Sequence, residues 1–132
     1  MKKNNNNQNN LKSFEKGKYI NIQTYKKNGL PISTPVWFII KDNRIFFRTS
    51  QNSGKIKRIR NNNNIKFALC DIRGKIKGES FDGIAKIEND PNNVILSQIN
   101  KKYGLSSQLM KIFYKIKKID IAILSIEPKN LS

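Results

Sequence analysis

A short segment in the first half of the chain carries the residue types that suit phosphate binding. Thr49 and Ser53 offer hydroxyl donors, and Gly54 follows in a Ser/Gly/Asn-rich loop. Lys55 and Arg58 add positive charge and, three residues apart, share one face of a helix. The unpaired N–H groups and the dipole at a helix start favour an anion. The segment therefore predicts a phosphate site where a strand, a loop and a helix meet.

The helix of this segment is predicted over 55–60, with Ile56 and Ile59 facing the core. Arg48 stands just before the loop. It is either an ordinary charged strand residue or a contact to a phosphate or a longer anionic tail, and the sequence leaves both open.

The charge of the chain is strongly unbalanced. With 26 Lys+Arg against 9 Asp+Glu, the formal net charge is +17. Such an excess suits a polyanionic partner, either nucleic acid or a phosphorylated cofactor. Lys, Asn and Ile are all used heavily, so AT-rich codon usage explains the charge equally well. Nucleic-acid binding is the less favoured interpretation, because the basic residues are spread along the chain and no recognition helix stands out.

Several kinds of chemistry are excluded by composition. The chain has no His, which removes His-based triads, His general bases and His metal ligands. Its one cysteine, Cys70, lies in an apolar run and is expected to be a buried structural residue. The carboxylates are widely spaced, so no metal site and no catalytic carboxylate pair is predicted.

Alternating apolar residues between turn signals predict a mainly β (α+β) fold, a small antiparallel barrel. Pro31 and Pro35 confine their segment to an edge or an irregular entry. Two short helices are expected over 92–103 and 105–114, broken at Gly104. The predicted strands cover 18–25, 36–40, 44–49, 65–71, 74–87 (interrupted at its glycines) and 119–126.

The length of 132 residues suits one domain. Residues 1–15 are expected to be a disordered Asn/Lys-rich tail, and residues 16–132 a single domain. No apolar run approaches the roughly 20 residues of a membrane helix, and the polar start of the chain lacks the apolar region of a signal peptide. We therefore expect a cytoplasmic protein with no membrane partner.

Three segments in order resemble the pyridoxamine-phosphate-oxidase-like split-barrel flavoproteins, closest to the branch that uses the deazaflavin F420. They are residues 24–38, 48–58 and 70–78, and a weaker fourth motif covers 102–105. The resemblance spans roughly residues 19–126.

This resemblance implies a six-stranded antiparallel split β-barrel with short flanking helices, of the FMN-binding split-barrel type. It also implies a homodimer that holds its cofactor between subunits, F420 or alternatively FMN. The implied activity is an oxidoreductase that transfers hydride to or from a small organic substrate. A non-catalytic carrier of the same cofactor is the alternative, because the binding residues would be the same.

The resemblance also implies roles for individual residues. The phosphate would be held by Thr49, Ser53, Lys55 and Arg58, and the ring lined by Thr34, Pro35, Val36 and Trp37. With Arg48 and Gly54 these form the candidate cofactor-binding set, and no catalytic residue is assigned. Glu79 is a further candidate, reaching the cofactor from the partner subunit. Taken alone, Trp37 on a buried strand is more often a core residue than a cofactor contact.

Overall fold

Residues 11–129, described by a computed structural model, form one antiparallel sheet of seven strands with two α-helices between them. The helices are α1 (Gly54–Asn61) and α2 (Val94–Lys117), the latter preceded by a 3₁₀ turn over Pro91–Asn93. The strands are β1 (Tyr19–Tyr25), β2 (Pro31–Val36), β3 (Phe38–Lys41), β4 (Arg44–Ser50), β5 (Asn64–Cys70), β6 (Phe81–Glu88) and β7 (Ile121–Pro128).

The two edges of the sheet are joined in the chain by one residue. The strands follow the order β2-β1-β5-β6-β7-β4-β3, so β2 and β3 are the edges, and only Trp37 separates them. Two residue steps span about 7 Å. The sheet therefore curls until its edges meet at Trp37, although no pairing between β2 and β3 closes it within residues 11–129.

The prediction of six strands was wrong in number, because the proline-containing segment forms a strand of its own. This strand is β2, and it pairs with β1 alone, with Pro35 opposite Asn21. An edge strand tolerates proline because one side of it needs no N–H donor. The prolines were thus correctly assigned to an edge.

The predicted strand over 74–87 is shorter than expected. Regular pairing begins only at Phe81, and Ile76 forms a single bridge to Cys70. Between Cys70 and Ile76 the chain forms a turn instead of a paired strand. In this turn the Asp71 carboxylate accepts hydrogen bonds from the N–H groups of Arg73 and Lys75, both at 2.9 Å. At Gly83 the strand is paired without interruption, and a Cβ there would lie 2.6 Å from a side-chain carbon of Ile126.

The main core fills the inside of the curled sheet and is closed by α1. Ile56 and Ile59 are both buried in it, as their spacing predicted. Leu11 and Phe14 are 2% exposed and belong to the same core. The packed part of the chain therefore begins before residue 16, and residues 1–10 of the predicted tail lie outside the described residues.

The second core packs α2 against the outer face of β3, β4 and β7. Ile95 and Ile99 of α2 contact Ile39, Phe46 and Ile123 of the strands. The Asp90 carboxylate starts the helix by accepting bonds from the N–H groups of Ile95 and Leu96.

Gly104 interrupts α2 with φ 53° and ψ −124°, so the predicted break between two helical segments is confirmed. The last strand lies two residues later than predicted, over Ile121–Pro128.

Cys70 is buried, as predicted, and its burial raises the pKa of its thiol to about 11. No helix within residues 11–129 combines the length and apolar character that crossing a bilayer requires. Over the same residues, no three His, Cys, Asp or Glu side chains gather as metal ligands would.

Candidate functional site

A cavity of about 260 Å³ opens where the sheet edges, the end of β4, the start of α1 and the second half of α2 come together. Six members of the predicted site line it. They are Pro35, Val36, Trp37, Arg48, Thr49 and Lys55. The other lining residues are Tyr19, Ile72, Met110 and Tyr114.

Lys55 places a cation in the cavity wall. Its ammonium donates a 3.2 Å hydrogen bond to the hydroxyl of Thr34, which connects α1 to the edge strand β2. Burial lowers the pKa of Lys55, and the nearby charge of Arg58 lowers it further. No carboxylate lies within ion-pair distance of Lys55 in the described part of the chain. The site thus holds a half-buried cation without a protein counter-ion.

The other residues of the predicted phosphate segment shape the start of α1. Ser53 caps the helix by accepting a 3.4 Å hydrogen bond from the N–H of Ile56. A Cβ at Gly54 would lie 2.5 Å from the Arg58 guanidinium, so a side chain at this position would displace the end of Arg58. Arg58 turns toward β1 and donates a 2.6 Å bond to the hydroxyl of Thr24. Ser53, Gly54 and Arg58 lie next to the cavity, but they are not in its wall.

Trp37 forms a flat wall of the cavity at the junction of the sheet edges. Its ring stacks on Tyr103 of α2, with centroids 4.5 Å apart and planes 6° apart. The Tyr103 hydroxyl accepts a 2.9 Å hydrogen bond from the N–H of Phe38 and lies 2.8 Å from the carbonyl of Lys18. Burial raises the pKa of Tyr103 to about 12. These contacts fix the plane of the Trp37 ring.

Arg48 lies beneath α2 and is 7% exposed. Its Nη1 donates a 2.8 Å hydrogen bond to Asn100, and its guanidinium carbon lies 5.1 Å from the Trp37 ring centroid and 5.8 Å from that of Tyr114. Its Nη2 is buried and has no hydrogen-bond partner. Burial lowers the pKa of this side chain. The sequence left the role of Arg48 open, and the structure makes it a buried cation at the cavity wall.

The sequence missed the contribution of α2. Met110 and Tyr114 reach the cavity from a helix whose register depends on the break at Gly104, and no local motif marks them. The weak 102–105 motif was the only signal, because it contains Tyr103. Glu79 is exposed between β5 and β6 and does not line this cavity.

A wider groove adjoins the cavity. Tyr19 and Ile72 line both, and the groove, about 690 Å³, extends along Leu69 and Cys70. Small-molecule sites typically have about 300–1,000 Å³. The 260 Å³ cavity is below that range, whereas the adjoining groove is within it.

Comparison with known families shows to which family the chain belongs. A family model described as pyridoxamine 5'-phosphate oxidase matches residues 9–131. The chain belongs to this family. The family resemblance predicted from the three motif segments is therefore confirmed, and the match covers nearly the whole chain.

Solved structures of other proteins share the fold. General Stress Protein 26 from Bacillus anthracis is 19% identical, with a TM-score of 0.61 and 92% of this chain and 88% of that chain covered. The heme storage protein HutZ from Vibrio cholerae is 14% identical, with a TM-score of 0.66 and coverages of 92% and 89%. An F420 reductase is 16% identical, with a TM-score of 0.58 and coverages of 88% and 90%. No curated protein matches the chain.

Proposed function

We propose that this chain is an oxidoreductase of the pyridoxamine 5'-phosphate oxidase family that binds F420, with FMN as the alternative, by the phosphorylated arm of the cofactor. The observation that carries the proposal is the half-buried ammonium of Lys55, which has a hydroxyl neighbour in Thr34 and no carboxylate. A phosphate supplies the missing negative charge. Charge-assisted hydrogen bonds of this kind are among the stronger polar contacts.

Thr49 completes the phosphate contact from the end of β4. It is 7% exposed and lines the same cavity as Lys55. In this proposal Ser53, Gly54 and Arg58 act indirectly. They hold the first turn of α1 so that Lys55 faces the cavity.

The flat ring of the cofactor lies along the junction of the sheet edges. Pro35, Val36 and Trp37 line the cavity there, and Thr34 precedes them on the exposed edge strand β2. The unpaired side of an edge strand offers backbone N–H and C=O groups to the polar rim of a ring.

The bound cofactor supplies the hydride chemistry, and the protein binds, orients and shields it. The lining side chains that ionise are Tyr19, Arg48, Lys55 and Tyr114. None of them is a carboxylate or histidine base, which suits a reaction that needs no strong base from the protein.

We further propose that the site is completed by a second copy of the chain. The 260 Å³ cavity is smaller than a tricyclic cofactor with its phosphate arm requires, and the adjoining groove is open. Ile72 and Ile76 are 67% and 47% exposed beside that groove. A homodimer that covers them would enclose the ring between subunits.

F420 is preferred over FMN because it is the more anionic ligand along its length. Lys57 and Arg60 are exposed on α1, and their charge favours such a tail. The likeness to an F420 reductase agrees with this choice, whereas HutZ, of the same fold, is a heme storage protein.

The test is an equilibrium titration of the purified protein with F420 and, separately, with FMN. The proposal expects saturable binding of F420 and weaker binding of FMN. Binding of FMN alone would reverse the choice of cofactor, and binding of neither would refute the function.

Turnover separates an enzyme from a carrier. Oxidation of reduced F420 in the presence of a quinone or an enone supports the oxidoreductase. Tight binding without turnover across such acceptors supports a carrier instead.

A further inference from the structure

Arg48 and Thr49 face opposite sides of β4, because successive residues of a strand alternate between the two faces. Phe47 belongs to the inner core and Phe46 to the core beneath α2, which places Arg48 on the α2 side. Both Arg48 and Thr49 line the cavity. The cavity therefore has a second cation, Arg48, which lies on the opposite face of β4 from Thr49, the proposed phosphate contact.

Arg48 lacks a counter-ion among residues 11–129. The ion pairs of the described residues are Arg44 with Glu88 and Lys66 with Asp82, and neither includes Arg48. Its Nη1 is bonded to the neutral amide of Asn100, while its buried Nη2 has no partner. Buried cations are normally paired and their donors satisfied, because desolvation without compensation is costly. An acceptor with negative charge is missing at this position.

The side chains around Arg48 restrict the kind of molecule that can carry this acceptor. The guanidinium lies against two aromatic rings, Trp37 at 5.1 Å and Tyr114 at 5.8 Å, and Met110 lines the same cavity. A flat apolar body fits beside these side chains. A carboxylate suits this side chain, because the guanidinium carries a full positive charge and its Nη2 has no acceptor of its own.

We propose that Arg48 binds the carboxylate of a small, flat second ligand, the substrate, at a position separate from the cofactor phosphate. This inference rests on the proposed function, because it assigns the Lys55 side of the cavity to the cofactor. It makes Arg48 a specificity residue for carboxylate-bearing substrates.

The test uses benzoate as the probe and benzyl alcohol as its uncharged counterpart. Trp37 is the only tryptophan of the chain and stands beside Arg48, so its fluorescence reports binding. Full-length protein is titrated with each probe, before and after loading with the cofactor. Saturable quenching by benzoate and none by benzyl alcohol is expected.

The deciding variant is Arg48→Met, which keeps an unbranched apolar stem and removes the guanidinium group with its charge. Its benzoate affinity should fall by about tenfold or more, the usual size of a lost charge-assisted contact. Arg73→Met is the matched control, since Arg73 is exposed on the turn before Ile76 and loses the same charge. Arg48→Lys keeps the charge but not the planar fork, so its benzoate affinity should lie between those of Arg48→Met and Arg73→Met. It replaces Arg48→Met as the test if that variant fails to fold.

The outcomes separate this inference from the proposed function. Unchanged cofactor affinity with weakened benzoate binding in Arg48→Met supports both. Lost cofactor affinity with intact benzoate binding assigns Arg48 to the cofactor and overturns the inference alone. Benzoate binding by a wild-type protein that binds no cofactor, weakened in Arg48→Met, refutes only the proposed function. No benzoate response in wild type, or a change from dimer to monomer in Arg48→Met, also overturns the inference.

Discussion

The ammonium of Lys55 and the hydroxyl of Thr34 are joined by a 3.2 Å hydrogen bond that ties the first turn of α1 to the edge strand β2. The two residues are 21 positions apart in the sequence, and the strands β3 and β4 lie between their segments. The bond brings together the position proposed for the cofactor phosphate and the strand proposed for its ring. In the proposed function, the protonation of this lysine therefore affects how the cofactor is held.

As the pH is raised, cofactor affinity should begin to fall at a lower pH than it would if Lys55 had the pKa of an exposed lysine. Burial lowers the pKa of Lys55, so the free protein loses this charge at a lower pH than an exposed lysine does. Affinity is full below that pKa and declines as the pH rises through it. Titrations between about pH 7 and about pH 10.5 measure the decline against the usual lysine value. In Lys55→Met the affinity should be weak, and its remaining pH dependence should lack this early decline.

Tyr103→Phe should destabilise the protein while keeping the stacked ring. Loss of the hydroxyl removes the acceptor of the Phe38 N–H and the partner of the Lys18 carbonyl. A part-buried donor left without a partner costs about 1–3 kcal/mol, which urea unfolding measures. Tyr114→Phe is the control, because no hydrogen bond of its hydroxyl is present within residues 11–129. Equal unfolding free energies for the two variants would contradict the role given to Tyr103.

Gly104→Ala should destabilise the protein through its backbone alone. At φ 53° and ψ −124° an L side chain is strained, although nothing lies within 4 Å of the added Cβ. The cost expected from such strain is about 1–3 kcal/mol. Gly78→Ala adds a methyl group in equally open space without positive φ and should change the unfolding free energy little. If both variants unfold alike, the break in α2 is not set by Gly104.

Local patterns predicted the elements that local chemistry controls. The start of α1 was found because Ser53, Gly54 and the paired isoleucines act within one turn. The break at Gly104 was found because glycine tolerates a conformation that other residues do not. The family resemblance then supplied the order in which these elements combine.

The features that were missed depend on contacts between distant parts of the chain. The edge strand β2 forms because β1 offers it a partner, which its prolines did not reveal. Met110 and Tyr114 reach the cavity only because α2 packs across β4. The buried state of Arg48 follows from the same packing, so the sequence could not choose between its two interpretations.

The most direct test of the phosphate assignment compares Lys55→Met with Lys57→Met in cofactor titrations. Both variants remove one lysine charge from α1, but Lys55 lines the cavity and Lys57 is exposed. Loss of a charge-assisted contact predicts affinity for F420 or FMN weaker by about tenfold or more in Lys55→Met. In Lys57→Met the affinity for FMN should be nearly unchanged, and that for F420 should fall less than in Lys55→Met, because only F420 has the tail proposed to lie near Lys57. Equal affinity of Lys55→Met and the wild-type protein would contradict the account, because the phosphate would then lie elsewhere.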